Sequence, residues 1–270
     1  MKAIALAYHD VFEVQPVQDD GRRRHPSRYA LSRVKFRQHL ESIPVRPHDS
    51  PVTTTDRFQD GENHIPVLLT FDDGALGSFT CVAEELEKNN WRGHFFIVST
   101  WIGKSGFMDA QQIRELRSRG HVIGSHSCSH PERMSKLGWA DLVKEWKESC
   151  SVLADVLGQK VNVASVPNGY YSKAVAQSAA EAGLEILFNS TPTQTANLVD
   201  GCLVLGRYSI QAGDSPGLSG ALTCQRWPRW RQEVLWDVKE AAKIAGGPAY
   251  LAMRTLFLSR RASASDAQSK

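Results

Sequence analysis

Short apolar runs, each closed by a polar or glycine-bearing turn and followed by residues at helical spacing, repeat along most of this chain. Ile4–Tyr8, Pro66–Phe71, Gly93–Val98, His121–Ser125, Val161–Val166, Glu185–Phe188 and Cys202–Ile210 read as strands. Between them, apolar residues recur every three or four positions. Phe36, Leu40 and Ile43 form one such set, then Phe79, Val82, Ala83 and Leu86, then Ile113 and Leu116. The longest is Leu142, Trp146, Cys150, Leu153 and Leu157, which stops at Gly158, and Ser172–Ala182 forms another helix before Gly183. Asp109-Ala110-Gln111-Gln112 has the form of a capping box, because the aspartate and glutamine can each bond the other's backbone N–H. Strand-then-helix order of this kind predicts an α/β fold, a parallel sheet flanked by helices. Residues 44–64 have neither period and read as an irregular connection.

The residues able to do chemistry follow the strands. His9 closes the first strand, Asp72 and Asp73 the second, His126 the fourth and Pro167-Asn168-Gly169 the fifth, while Arg207 is expected at the end of a late strand. In a parallel barrel such positions share the C-terminal rim, where these folds place their sites. The segment Thr70-Phe71-Asp72-Asp73-Gly74 sets two carboxylates beside a turn, and His126-Ser127-Cys128-Ser129-His130 sets two imidazoles four residues apart. On a helical turn that spacing puts both rings on one face. One carboxylate and two imidazoles make a three-ligand metal site with a position left for water, and the second carboxylate is free to act as base. Zinc is the first choice for such a donor set, with cobalt, nickel or manganese able to substitute.

The two motifs resemble those of the polysaccharide deacetylase, or NodB-homology, family (carbohydrate esterase family 4), and the likeness extends over roughly residues 4–210. It implies a distorted (β/α) barrel of about seven units, fewer than the eight of the commoner barrel. By resemblance, Asp72 is the general base and Asp73 a metal ligand with His126 and His130. The implied reaction removes acetyl from an N-acetylated amino sugar and releases acetate. Many family members carry an acid histidine late in the chain, yet no histidine follows His130 here. Tyr8-His9-Asp10-Val11 resembles instead the arrangement of biofilm poly-N-acetylglucosamine deacetylases, whose histidine-bearing strand is moved to the start, which makes His9 the candidate general acid. Ser165-Val166-Pro167-Asn168-Gly169-Tyr170 departs from the usual third motif, with serine where many members have an arginine paired to the base. Pro167, Asn168 and Gly169 are then candidate substrate or oxyanion contacts, and Arg207 is a candidate substitute for the missing arginine. Removal of O-acetyl groups, cleavage of another amide, or a silent carbohydrate-binding scaffold are the rival readings.

A net charge of +3 gives no reason to expect nucleic-acid binding. The five cysteines are scattered and contain no Cys-x-x-Cys, as in a reduced intracellular protein. No apolar run approaches the ~20 residues that span a bilayer. A cytoplasmic protein acting on a sugar precursor, lipid-linked or free, is the resulting expectation. Residues 1–222 form the expected barrel. Residues 223–258, with Trp227, Trp230 and Trp236 among arginines, form an expected helical extension packed on the barrel or resting on the inner face of a membrane, and 259–270 a disordered tail.

Overall fold

A computed structural model describes residues 1–13, 28–44, 52–55 and 65–241. In chain order, the first half comprises β1 (Ile4–Tyr8), β2 (Val11–Phe12), β3 (Leu31–Ser32), α1 (Arg33–Glu41), β4 (Val52–Thr53), β5 (Val67–Phe71) and α2 (Ala83–Lys88). Then come β6 (His94–Ile97), α3 (Ala110–Ser118), β7 (Val122–Ser125), α4 (Trp139–Leu157), β8 (Val163–Ser165) and α5 (Lys173–Glu181). The last elements are β9 (Ile186–Phe188), β10 (Asn197–Val199), β11 (Cys202–Leu205), β12 (Arg207–Ser209) and α6 (Leu218–Cys224). The expected strands and helices are present, most with ends shifted by a residue or two; the strand expected over Cys202–Ile210 is split at Gly206 into β11 and β12, and a π-helical turn, Ser78–Val82, precedes α2. Four short strands among the described residues went unforeseen: β2 and β3 pair with each other, β4 runs beside the foot of β5 within the segment expected to be irregular, and β10 pairs with β11.

The main sheet runs β11-β9-β8-β7-β6-β5-β1-β12, all parallel, with β10 added antiparallel on β11. Its two ends are joined covalently rather than by a ladder. β11 pairs with β9 and β12 with β1, and only Gly206 separates them. One bent segment therefore closes the sheet into a distorted barrel. The bend needs glycine, since a Cβ at position 206 would lie 2.2 Å from the Thr191 carbonyl oxygen.

Both faces of the sheet are buried, as parallel sheets require. Inside the barrel, Ala5, Leu68, Phe96, Val122, Val163, Phe188 and Leu205 form one cluster. The small alanines of β1 leave that volume to the Phe96 and Phe188 rings, whose centroids are 5.4 Å apart. Residues of opposite parity, such as Leu6, Leu69, Phe95 and Ile123, meet the helices outside. Trp146 of α4 is fully buried among Ala164, Val175 and Leu187 in a further cluster. The Asp109 capping box forms at the start of α3, and Gly158 ends α4 in the left-handed conformation.

The chain divides into compact units at residues 1–229 and 230–270. The described part of the second, residues 230–241, is helical. The remainder of the expected extension, 242–258, and the 259–270 tail lie outside the described residues. Among the described residues no helix is long and apolar enough to cross a membrane.

Candidate metal centre

At the end of β5 the parity of the strand carries Leu68, Thr70 and Asp72 into the barrel. The Asp72 N–H extends the ladder to the Tyr8 carbonyl at 3.2 Å. Asp73 and Gly74 then take positive φ values of 73° and 76°. This sharp turn lets adjacent carboxylates approach one site from different sides. For a residue with a side chain that backbone region is unusual, and at functional sites it costs about 1–3 kcal/mol.

His126 keeps the inward parity of Val122 and Gly124. Its Nδ1 lies 3.0 Å from the Ser165 carbonyl, which can only accept, so Nδ1–H donates and Nε2 carries the free lone pair. Ser127 and His130 have φ of 65° and 58°, so the two histidines are joined by a folded loop rather than the helical turn expected from their spacing. The loop nonetheless returns His130 to the site. Asp73 Oδ1 stands 3.4 Å from His126 Nε2 and 3.5 Å from His130 Nε2. Ligands about 2.0–2.1 Å from a tetrahedral zinc are separated by roughly 3.4 Å. One atom from each of Asp73, His126 and His130 lies within 4.8 Å of the others, so the donor set fits a divalent metal in spacing as well as chemistry.

Asp72 stands outside this set and is bound to Arg207. Arg207 Nη1 donates to Oδ1 at 2.7 Å and Nη2 to Oδ2 at 2.8 Å. The two residues are only 1% and 3% exposed. Burial pushes the Asp72 carboxyl upward, but the charges of Arg207 and His126 and the paired hydrogen bonds hold it well below the usual carboxylate range. Arg207 was expected on the rim. It instead opens β12 in register with Ala5, level with Leu68, and reaches up through the interior. Its Nε donates to the Asn189 carbonyl, and Nη1 also meets Thr70 Oγ1 at 3.2 Å.

His9 lies beside the same acids and stacks on Tyr29 at 4.5 Å. Among the described residues its Nδ1 is buried without a hydrogen-bond partner. Burial lowers its basicity, while Asp72 and Asp73 oppose that shift. At His126 the same acids, led by Asp72, overcome burial and raise the pKa. At His130 burial and the neighbouring His126 prevail and lower it.

The third-motif segment borders the loop. Asn168 Nδ2 reaches the Glu132 carbonyl at 3.5 Å, and Asn168 itself adopts φ 54°. Pro167 has no N–H, so of the two roles expected for it only that of a substrate contact remains open. The Gly169 N–H points to the Val166 carbonyl at 3.5 Å, so the Asn168 N–H remains the candidate donor of the three. Trp101 packs 5.0 Å from His130 and 4.8 Å from Phe107, and Arg133 covers Tyr170. The Ser165 carbonyl and Thr70 hydroxyl, which orient His126 and meet Arg207, were missed from sequence. A backbone acceptor leaves no mark in residue identity, and the threonine reads locally as a strand former.

The family model described as polysaccharide deacetylase matches residues 60–187. A chitin deacetylase of Arthroderma benhamiae is 32% identical over 117 residues, covering 43% of this chain and 31% of the relative. The peptidoglycan-N-acetylglucosamine deacetylase PgdA of Listeria monocytogenes is 29% identical over 129 residues, 47% of this chain and 26% of the relative. The chain spans about half the length, or less, of the curated relatives it matches. Among solved structures, the Streptococcus pyogenes deacetylase PplD in complex with acetate superposes with a TM-score of 0.65 at 19% identity, covering 80% of this chain and 95% of that one. IcaB from Ammonifex degensii gives 0.64 at 21%, covering 83% and 97%. At these identities the likeness speaks for the fold.

Proposed function

The chain belongs to the polysaccharide deacetylase family, and from that premise we propose that it is a metal-dependent hydrolase removing acetyl from an N-acetylated amino sugar. The observation that carries this reading is the spacing of Asp73, His126 and His130, with an ionised Asp72 next to it. A divalent cation, zinc by first choice, would supply Lewis acidity toward the acetyl carbonyl and a water of lowered pKa.

The protein's own groups do the rest. Asp72 accepts the proton of the attacking water. Arg207 occupies one lone pair on each of its oxygens, and a carboxylate has about four such sites, so acceptor capacity remains. Arg207 thereby substitutes for the arginine absent at Ser165. The Asn168 N–H is the candidate donor to the oxygen of the tetrahedral adduct. His9 delivers a proton to the departing nitrogen, which amide cleavage requires because an unprotonated amide nitrogen leaves poorly. Burial is the larger influence and lowers its pKa, while the nearby carboxylates Asp72 and Asp73 favour its charged form.

The substrate class we favour is a sugar precursor, lipid-linked or free, met in the cytoplasm, where five free thiols suit a reducing environment. The test is an acetate-release screen on the zinc-reconstituted protein with N-acetylhexosamine glycans, lipid-linked sugars and O-acetylated glycans. Acetate from the N-acetylated set supports the reading. Release from O-acetyl substrates alone would replace it with an esterase, and sugar binding at full metal occupancy with no acetate would replace it with a scaffold.

A further inference from the structure

The loop between the two histidines has to hold an improbable shape. Ser127 and His130 both sit at positive φ, a region that residues with side chains rarely enter. His126 is fixed independently, by β7 below it and by the Ser165 carbonyl. His130 comes four residues later and depends on the loop for its position.

Several contacts shape that loop. The Ser127 N–H donates to Ser125 Oγ, which is bonded to Ser149 Oγ on α4, and the His130 N–H donates to Ser127 Oγ. From the other side, the Ser99 and Thr100 N–H groups donate to the Ser127 and Cys128 carbonyls. The strongest set involves a charge. Glu145, in the second turn of α4, turns one oxygen to two consecutive backbone amides: Oε2 accepts from Cys128 N–H and Ser129 N–H, both at 2.9 Å. Its other oxygen, Oε1, accepts from Ser129 Oγ at 2.6 Å. Successive N–H groups turned to one anion form a concave nest, and bonds to an ionised acceptor are stronger than neutral ones.

From this arrangement we infer that Glu145 is a positioning residue for the metal centre, holding His130 at its distance from His126 and Asp73 before any cation arrives. The inference rests on the metal reading of the site given above. It extends that reading to a residue that touches no ligand atom and sits 15 positions beyond His130 in the chain. Outer partners that orient metal ligands typically change affinity about 10–100-fold when removed. Loss of Glu145 would release both amides and the serine hydroxyl at once, and the loop would spread over conformations in which His130 misses the site.

Zinc affinity, measured by competition with a chromophoric chelator, tests this without turnover. The wild-type protein and Glu145→Ala are compared with Leu153→Ala, which opens a void on the same helix at a fully buried residue away from the loop. Affinity should fall at least tenfold for Glu145→Ala and stay within about twofold for Leu153→Ala, even where the leucine variant has the lower Tm. Glu145→Gln keeps the reach and one acceptor oxygen for the amides, so its affinity should lie between wild type and Glu145→Ala. It also gives the measurement if the alanine variant does not fold. Affinity of Glu145→Ala within twofold of wild type would overturn the inference, as would equal losses in the two alanine variants. Absence of stoichiometric zinc from the wild-type protein would instead refute the metal reading, and Glu145 with it.

Discussion

Replacing Arg207 by methionine tests the electrostatics of the site most directly. The substitution keeps an unbranched apolar stem in the barrel and removes a guanidinium that makes two bonds to Asp72, at 2.7 and 2.8 Å, where both residues are almost wholly buried. Removing one partner of a buried ion pair typically costs about 3–5 kcal/mol, because the other charge is left uncompensated. Asp72 can relieve that cost by taking a proton. At 1.36 kcal/mol per pH unit, this bounds the upward displacement of its pKa at roughly 2–4 units. The sign follows from linkage. In the wild type the carboxyl is held below its ordinary value of 3.8, so its contribution is complete above that pH and is lost only as pH falls through the depressed value. In the variant, burial acts unopposed by Arg207 and Asp72 is protonated at higher pH. The stability deficit should therefore be greatest near neutrality and shrink on acidification. The acidic limb of kcat/KM should move up by at least about one unit, since the base must be ionised. Urea unfolding at pH 7 and pH 4.5, together with a pH–rate profile, reads both effects. Arg207→Lys keeps the charge without the two-pronged geometry and should fall between. A folded Arg207→Met protein losing less than about 1 kcal/mol, with an unmoved acidic limb, would refute the argument.

Asp72→Asn should retain zinc, since Asp73 and the histidines are untouched, yet lose turnover by about 10²–10⁴-fold, the range for a positioned base; loss of the metal as well would show that Asp72 is a ligand. Removing the imidazole in His9→Ala should slow amide substrates by at least about tenfold more than esters with good leaving groups, which need no acid, and equal losses would count against the acid role. Gly206→Ala should destabilise the barrel by roughly 1–3 kcal/mol or more, because the added methyl meets the Thr191 carbonyl. Thermal or denaturant melting reads this, and an unchanged midpoint would mean that the closure is looser than its distances imply.

Local order was legible because it is written in local spacing. The apolar steps of α4, the capping box at Asp109 and the stop at Gly158 depend on residues within a few positions of one another. The two motifs were legible for the same reason, since neighbouring residues carry them. The helical turn expected for His126–His130 was wrong because spacing of four does not distinguish a helix from a loop folded back by two left-handed residues. β4 and β10 are only two and three residues long, too short for an alternating period to show, even though β10 pairs with the next strand, β11.

What the amino-acid sequence determined by itself was the alternation of strand and helix, and the presence of an acid pair and a histidine pair at strand ends. Only the tertiary structure decided that one segment bent at Gly206 closes the barrel, that Arg207 rises through the interior to Asp72, and that Glu145 ties down the loop before His130. The physical reason is range. Periodicity and turn chemistry act between near neighbours, whereas an ion pair between residues 72 and 207 exists only after the sheet has closed around both, when burial has removed the water that would otherwise separate them.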